Sequence, residues 1–246
     1  MAQSGVGKIR LFTDCFEEDN VAFTAETRPY GPFITGGQGN AEVDAGVVTL
    51  DSDGLSGVGQ LTTTNEDNHT TLLGTAVSLD VGLMGTLIAE ARVRLTDLDT
   101  KEVFFGFSDI SPNTLSIETD VGHGATATLT LTASDICGFL LSSELTEDEM
   151  WHIIYAGGTT TGVTVAATNQ TGVDAVAGEW DVLRIEIDPN GTARFFVNGK
   201  QEFSVAGAVS TSVDLGLTLG VEAKGAAIET LDVDYLLLEA NRDWTR

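Results

Sequence analysis

Residues 179–205 read EWDVLRIEIDPNGTARFFVNGKQEFSV, and this stretch decides the fold. Hydrophobic residues between positions 183 and 187 alternate with charged ones, which is the period of a strand with one buried and one solvated face. The turn Asp188-Pro189-Asn190-Gly191 combines a proline that fixes φ with an Asn-Gly pair that accepts positive φ, and Asn198-Gly199 repeats the second signal. The stretch therefore predicts a meander of three antiparallel strands.

Similar strand patterns recur along most of the chain. Residues 85–95 and 125–133 alternate with period two, whereas Glu102–Ser108 is nearly all apolar and predicts a central strand covered on both faces. In total, about fourteen strands are expected at spacings of about 8–14 residues, with no long amphipathic helix. This pattern is typical of an all-β sandwich or barrel.

The motifs of the meander carry a resemblance to a known family. The tryptophan, the alternating strand, the Asp-Pro-Asn-Gly turn and the run Phe195-Phe196-Val197-Asn198-Gly199 are similar to the hairpins of concanavalin A-like (laminin-G-like) jelly rolls. The run from Ile228 to Leu238 resembles the closing strand of that fold. The resemblance implies an antiparallel jelly-roll β-sandwich. It implies no single activity, because this fold occurs in lectins, glucanases, adhesion modules and viral structural proteins.

The chain of 246 residues is expected to form one domain, because neither a linker-like tract nor an internal repeat is visible. Residues 1–13 are predicted to be an N-terminal arm, and residues 14–246 a single β-sandwich. The arm carries Ile9, Leu11 and Phe12, which we predict to bind a partner. It either pairs as an edge strand or reaches to a neighbouring subunit.

The net charge of −25 disfavours nucleic acid and anionic membranes as partners, because both carry negative charge. Apolar runs are too short to span a bilayer, and the first residues lack the apolar segment of a signal peptide. Cys15 and Cys137 are isolated in sequence, so they are expected to be buried free thiols.

Two stretches resemble the catalytic strand Glu-x-Asp-x-x-Glu of the endoglucanases within this fold. In residues 179–184 the position of the last glutamate holds Arg184, and in residues 186–191 it holds Gly191. Neither stretch supplies the acid/base that a retaining glucanase needs, so no enzymatic activity is expected. The three histidines are dispersed and lack the spacing of a metal site.

Two local features suggest a sugar-binding function. Tyr30 and Phe33 lie in the glycine- and proline-rich loop 28–40, where they either stack on sugar rings or cover the edge of the core. The segment Asp51-Ser52-Asp53-Gly54 is either a plain turn or the start of a calcium loop that lacks its later acidic ligand. As the alternative function, these features predict a lectin-like carbohydrate-binding module of a phage or bacterial surface protein. Calcium would assist sugar binding if segment 51–54 holds that ion.

The main prediction rests on a second resemblance. An acidic, Thr/Gly/Val-rich sandwich with the run EMWHIIYAGG at residues 149–158, followed by a Thr-rich hairpin, resembles capsid decoration (cement) proteins of tailed bacteriophages. The resemblance implies a virion structural protein on the capsid surface that is assembled in the host cytoplasm. Such a protein would bridge neighbouring major capsid subunits as a homotrimer and would need no cofactor.

Overall fold

The computed structural model describes residues 7–15, 21–22, 29–38, 47–50 and 57–242. Within these residues the chain forms an antiparallel all-β sandwich, as predicted. The strands, numbered in chain order, are β1 Lys8–Thr13, β2 Val21–Ala22, β3 Pro29–Tyr30, β4 Phe33–Gly36, β5 Val47–Leu50, β6 Gly59–Thr62, β7 Thr70–Gly74, β8 Leu79–Asp80, β9 Leu87–Arg94, β10 Lys101–Ser108, β11 Gly122–Ala125, β12 Thr128–Leu131, β13 Ile136–Ser142, β14 Met150–Ala156, β15 Gln170–Asp174, β16 Trp180–Ile187, β17 Ala193–Val197, β18 Lys200–Val205, β19 Asp214–Ala223 and β20 Thr230–Asn241.

These strands form two nine-stranded sheets and one separate hairpin. The first sheet has the order β18-β17-β16-β9-β20-β6-β5-β2, and β1 also pairs with β20. The second sheet has the order β15-β14-β13-β10-β19-β7-β4-β3, with β8 paired to β19. Strands β11 and β12 form the separate hairpin.

The structure has twenty strands among the described residues rather than the predicted fourteen. Several of the additional strands, such as β3 and β8, contain only two residues, which is too short for a period of two to be recognised. Residues 29–36 of the predicted loop form the β3–β4 hairpin, because their backbone groups pair in the second sheet.

The predicted meander is confirmed by strands β16, β17 and β18. Leu183 pairs with Val197, and Val197 pairs in turn with Lys200. Both predicted turns use the left-handed region: φ is 78° at Gly191 and 52° at Asn198. The turn residues therefore set the register that turns the apolar side of β16 inward.

The main core lies between the two sheets. Phe139 makes edge-to-face contacts with Trp151 of its own sheet and with Phe195 of the other, at ring-centroid distances of 6.3 Å and 5.5 Å. All three rings are fully buried. Because aromatic rings bury large apolar areas, this cluster is a principal link between the sheets. Cys15 and Cys137 are buried free thiols, as predicted.

The outer face of the second sheet is covered by residues 109–135, which we call the cap. The cap contains a 3-10 turn at Pro112–Thr114, a π-helical turn at Ile117–Val121 and the β11–β12 hairpin. It encloses a second apolar cluster around Phe104. Gly138 allows the Phe104 ring to lie on the sheet, because a Cβ at that position would meet the ring's Cε2 at 2.3 Å.

Residues 8–13 belong to the first sheet. Strand β1 pairs with β20 over six positions, from Lys8 opposite Asn241 to Thr13 opposite Leu236. Of the two alternatives for the N-terminal arm, the structure thus shows pairing as a strand. This strand is part of the sandwich, although the sequence places it in a separate arm.

Candidate functional site: the open face of the first sheet

The outer face of the first sheet carries a balanced set of charges on β1, β20, β9, β16 and β17. Side chains that point outward there are only partly buried along β9, in contrast to the second sheet under its cap. We call this surface the open face. Among the described residues of these strands and of the turn after β16, it holds six basic and six acidic side chains, namely Lys8, Arg10, Arg92, Arg94, Arg184, Arg194, Glu90, Glu186, Asp188, Asp232, Asp234 and Glu239. Six minus six gives a net charge of zero, in a chain whose net charge is −25.

Two ion pairs occupy one end of the open face. The guanidinium of Arg94 donates to Asp232 Oδ2 at 2.9 Å and 2.7 Å, and Arg92 donates to Asp234 Oδ2 at 2.8 Å. Asp232 is 1 % exposed, because Arg94 and Gln60 both contact its carboxylate, whereas Asp234 is more open to solvent.

Further pairs continue across β16 and β17. Arg184 contacts Glu90 at 3.1 Å and Glu186 at 2.7 Å, and Arg194 contacts Asp188. The hydrogen bond from Arg194 lowers the pKa of Asp188 below its ordinary value. Partly exposed pairs of this kind stabilise a fold by only about 0–1 kcal/mol each. Fold stability alone is therefore a weak reason for placing half of the chain's twelve basic residues on one face.

Aromatic rings cross the open face from β1 to β16. Phe12 is 46 % exposed, and its ring centroid lies 6.2 Å from that of Tyr235. The guanidinium carbons of Arg92 and Arg94 each lie 4.7 Å from the centroid of the Trp180 ring. Exposed aromatic and arginine side chains are common in binding surfaces.

A cleft of about 400 Å³, which we call the β1 cleft, lies on the open face. Its lining residue Arg10 connects it to Phe12, because the guanidinium carbon lies 6.0 Å from the Phe12 ring centroid. Lys8 Nζ donates to Asn241 Oδ1 at 2.5 Å, and Arg10 Nε lies 3.1 Å from Glu239 Oε1. The lining combines these polar groups with aliphatic side chains. It consists of Lys8, Ile9, Arg10, Thr86, Ile88, Glu239, Ala240 and Asn241. Such a site can hydrogen-bond hydroxyl groups and also pack against C–H groups.

The predicted partner-binding residues separate into two groups. Ile9 and Leu11 pack inward against the main core, and Phe12 points outward beside the β1 cleft. Phe12 is thus the most exposed of the three predicted residues, and Ile9, which is partly buried, also lines the β1 cleft.

The predicted glycan-binding residues Tyr30 and Phe33 are each 1 % exposed. The prediction that these two rings stack on a sugar is wrong, because a buried ring offers no face to a sugar. The other alternative is correct: both rings are part of the main core, where the β3–β4 hairpin places them.

Three of the four carboxylates in the two endoglucanase-like stretches have partners within the fold, and the fourth, Glu179, is exposed. Asp181 accepts hydrogen bonds from Trp151 Nε1 at 3.0 Å and from Asn198 Nδ2 at 2.9 Å. Glu186 and Asp188 pair with Arg184 and Arg194. Each of the three partnered carboxylates therefore contributes to sheet geometry.

The candidate calcium segment 51–54 lies outside the described residues. Within the described part of the chain, no group of three or more His, Cys, Asp or Glu side chains is placed to hold a metal ion. In that same part, none of the helices combines the length and the hydropathy needed to cross a membrane.

Sequence reasoning missed the β1 cleft. Its polar residues come from β1, β20 and the start of β9, and the β1–β20 pair joins positions more than two hundred residues apart. The one local signal is the alternation of Lys8, Arg10 and Phe12 with Ile9 and Leu11, which indicates an outward face.

Comparisons with known proteins give structural neighbours and no relatives by sequence. No protein-family model and no curated protein matches the chain. The carbohydrate recognition domain of Emp47p is 12 % identical with a TM-score of 0.58, and 94 % of each chain is covered. Peanut lectin with a nine-residue peptide is 14 % identical with a TM-score of 0.56, and 95 % of this chain and 97 % of the lectin are covered.

A third neighbour is a protein of unknown function, SO2946 from Shewanella oneidensis MR-1. It is 10 % identical with a TM-score of 0.53, and the match covers 100 % of this chain and 92 % of that one. At such identities the similarity shows the fold alone. The chain therefore has the concanavalin A-like antiparallel β-sandwich fold.

Proposed function

We propose that the protein is a carbohydrate-binding module whose ligand lies in the β1 cleft and against Phe12. The observation that carries the proposal is the charge balance of the open face in a strongly acidic chain. A ligand that approaches this face meets paired charges rather than a repulsive field. An uncharged, hydroxyl-rich ligand fits that surface best.

The hydrogen-bonding groups of the β1 cleft support a sugar over a purely apolar ligand. Lysine and arginine supply donors only, a carboxylate supplies acceptors only, and asparagine and threonine supply both. A sugar hydroxyl both donates and accepts, so it matches the paired groups Lys8–Asn241 and Arg10–Glu239. The partly exposed aliphatic side chains of Ile9 and Ile88 offer contacts for the C–H groups of a sugar ring.

The size of the cleft and the structural neighbours agree with this proposal. Ligand sites commonly enclose roughly 300–1,000 Å³, and the β1 cleft, at about 400 Å³, lies within that range. The neighbours include a domain described as a carbohydrate recognition domain and a lectin, and both cover nearly the whole chain.

A glycan array followed by titration calorimetry tests the proposal. The intact protein is expected to bind neutral oligosaccharides in preference to acidic ones. Phe12→Ala and Asn241→Ala are each expected to weaken that binding about tenfold, equal to ~1.4 kcal/mol, because each removes a contact at the ligand.

Ile228→Ala is the matched control, because Ile228 is 63 % exposed and does not line the cleft. This variant should bind as the unmodified protein does. Absence of binding to any neutral glycan, or an equal loss in the Ile228 variant, would contradict the proposal.

Decoration of a phage capsid, with the major capsid protein as partner, stays a prediction from the sequence resemblance. Phe12 is the residue of the predicted set that could contact such a partner. Deleting residues 1–13 is a poor test, because it removes strand β1 from β20. Co-sedimentation of Phe12→Ala with capsids leaves the sheet intact and is the better experiment.

A further inference from the structure

Two glutamates face each other beneath the cap. Glu102 of β10 and Glu222 of β19 are direct partners in the antiparallel register, and both are fully buried. Side chains at such positions have Cβ atoms roughly 4.5–5.5 Å apart, and two like charges there repel each other. The pair therefore favours a state in which only one of the two carboxyl groups is ionised.

Burial raises the pKa of Glu222 too, but its denser set of hydrogen bonds opposes that rise and favours Glu222 as the ionised member. Its Oε2 accepts from Thr70 Oγ1 at 2.5 Å, Ser116 Oγ at 2.8 Å and the backbone N–H of Ile117 at 2.6 Å. Its Oε1 accepts from the backbone N–H of Glu118 at 3.1 Å. Three of these four donors belong to residues 116–118 of the cap, so the carboxylate holds the cap against the sheet.

Glu102 has a much poorer set of partners. Oε1 accepts from the backbone N–H of Gly124 at 3.0 Å, whereas Oε2 is buried without a hydrogen-bond donor among the described residues. The hydroxyl of Ser142 lies alongside. Burial, and to a smaller extent the charge of Glu222, raises the pKa of Glu102 to about 8.

Among the described residues, Lys224 is the cation whose charge acts on both Glu102 and Glu222, and it is already paired with other carboxylates. Lys224 follows β19, contacts Glu118 of the cap and lies 3.5 Å from Glu144. Asp120 of the cap accepts from the backbone N–H of Ser116 at 2.9 Å. On β14, His152 Nε2 is buried with no partner in the described part of the chain, and burial lowers the pKa of this histidine.

We propose that Glu102 is a proton-operated latch: its protonated carboxyl keeps residues 116–124 closed on the second sheet, and loss of that proton opens them. Ionised Glu102 would lie buried against Glu222, and the nearby cation Lys224 is already paired with Glu118 and Glu144. Lifting residues 116–124 lets water reach both carboxylates and uncovers the apolar floor around Phe104. The moving part contains the π-helical turn Ile117–Val121, a rare element that is frequent at functional sites.

Amide hydrogen exchange at pH 6.5 and pH 9.5 tests the latch, with each rate divided by that of an unstructured peptide at the same pH. Protection of the Ile117, Glu118 and Gly124 amides is expected to fall at least tenfold at the higher pH. Glu102→Gln should abolish this fall, because glutamine resembles the protonated carboxyl and cannot ionise. The Ile185 amide in the first sheet should keep its protection in both proteins.

Protection that is unchanged with pH, or that falls equally in Glu102→Gln, overturns the proposal. If the variant does not fold, carboxyl-carbon NMR of the unmodified protein replaces it. The titration midpoint of Glu102 and the pH midpoint of opening are expected to coincide. Midpoints more than one pH unit apart would overturn the latch.

Discussion

Replacing Lys101 by methionine is expected to lower the free energy of unfolding by about 3–5 kcal/mol. The Lys101 side chain is fully buried, and its Nζ lies 2.8 Å from both Asp97 Oδ1 and Glu229 Oε2. The Glu229 side chain is only 5 % exposed, so its carboxylate would lose its cation in a place that water barely reaches. Urea unfolding at pH 7, followed by tryptophan fluorescence, measures the change.

Lys200→Met is the matched control for this prediction. Its side chain is 76 % exposed, and it pairs with Glu202 at 2.9 Å. An exposed pair contributes about 0–1 kcal/mol, so the control should unfold almost as the unmodified protein does. The double variant Lys101→Met, Glu229→Gln should regain part of the lost stability, because the uncompensated charge is gone. Equal losses of stability in Lys101→Met and Lys200→Met would show that burial of the Lys101 pair is unimportant.

The free energy of unfolding of Glu102→Gln is expected to rise relative to that of the unmodified protein as the pH increases. Between pH 4 and pH 8.5 this difference grows by roughly 3–5 kcal/mol. Burial raises the pKa of Glu102 from an ordinary 4.5 to about 8 in the folded state. Between these values the unfolded chain releases the proton and the folded chain keeps it. The contribution of Glu102 to the stability of the unmodified protein is therefore largest below pH 4.5 and falls as the pH rises towards 8.

The measured quantity is the difference between the two unfolding free energies across pH 4–9, since other titrating groups cancel in that difference. Glu179→Gln removes a carboxylate from the surface and reports the effect of net charge alone. If the cap opens above pH 8, the difference between the two unfolding free energies cannot exceed the free energy of opening the cap. A difference between unmodified protein and Glu102→Gln that stays flat with pH would refute a buried neutral carboxyl.

Local sequence patterns were sufficient to predict the meander and the class of fold. In β16 the alternation of apolar and charged residues and the two Asn-Gly signals specify strand, turn and register within 27 residues. The apolar run of β10 correctly indicated a strand covered on both faces, which are the main core and the cap.

The candidate site depends on contacts that local patterns do not encode. Tyr30 and Phe33 lie among glycines and prolines, a context typical of exposed loops, yet strand pairing in the second sheet turns both rings inward. Lys101 and Glu102 begin an apolar strand, and a charged pair at a strand end usually reaches solvent. Here neighbouring segments enclose both residues, and their buried partners, Glu229 and Glu222, are distant in sequence.

The position of β20 has a consequence for folding during synthesis. This strand, the last one described, lies in the middle of the first sheet, between β9 on one side and β6 and β1 on the other. A nascent chain that ends before residue 230 thus holds two separate parts of the sheet, each with an unpaired strand edge, and β1 without its partner. Such edges are prone to pair with other chains. The first sheet therefore closes only after residues 230–241 have been synthesised and have left the ribosome.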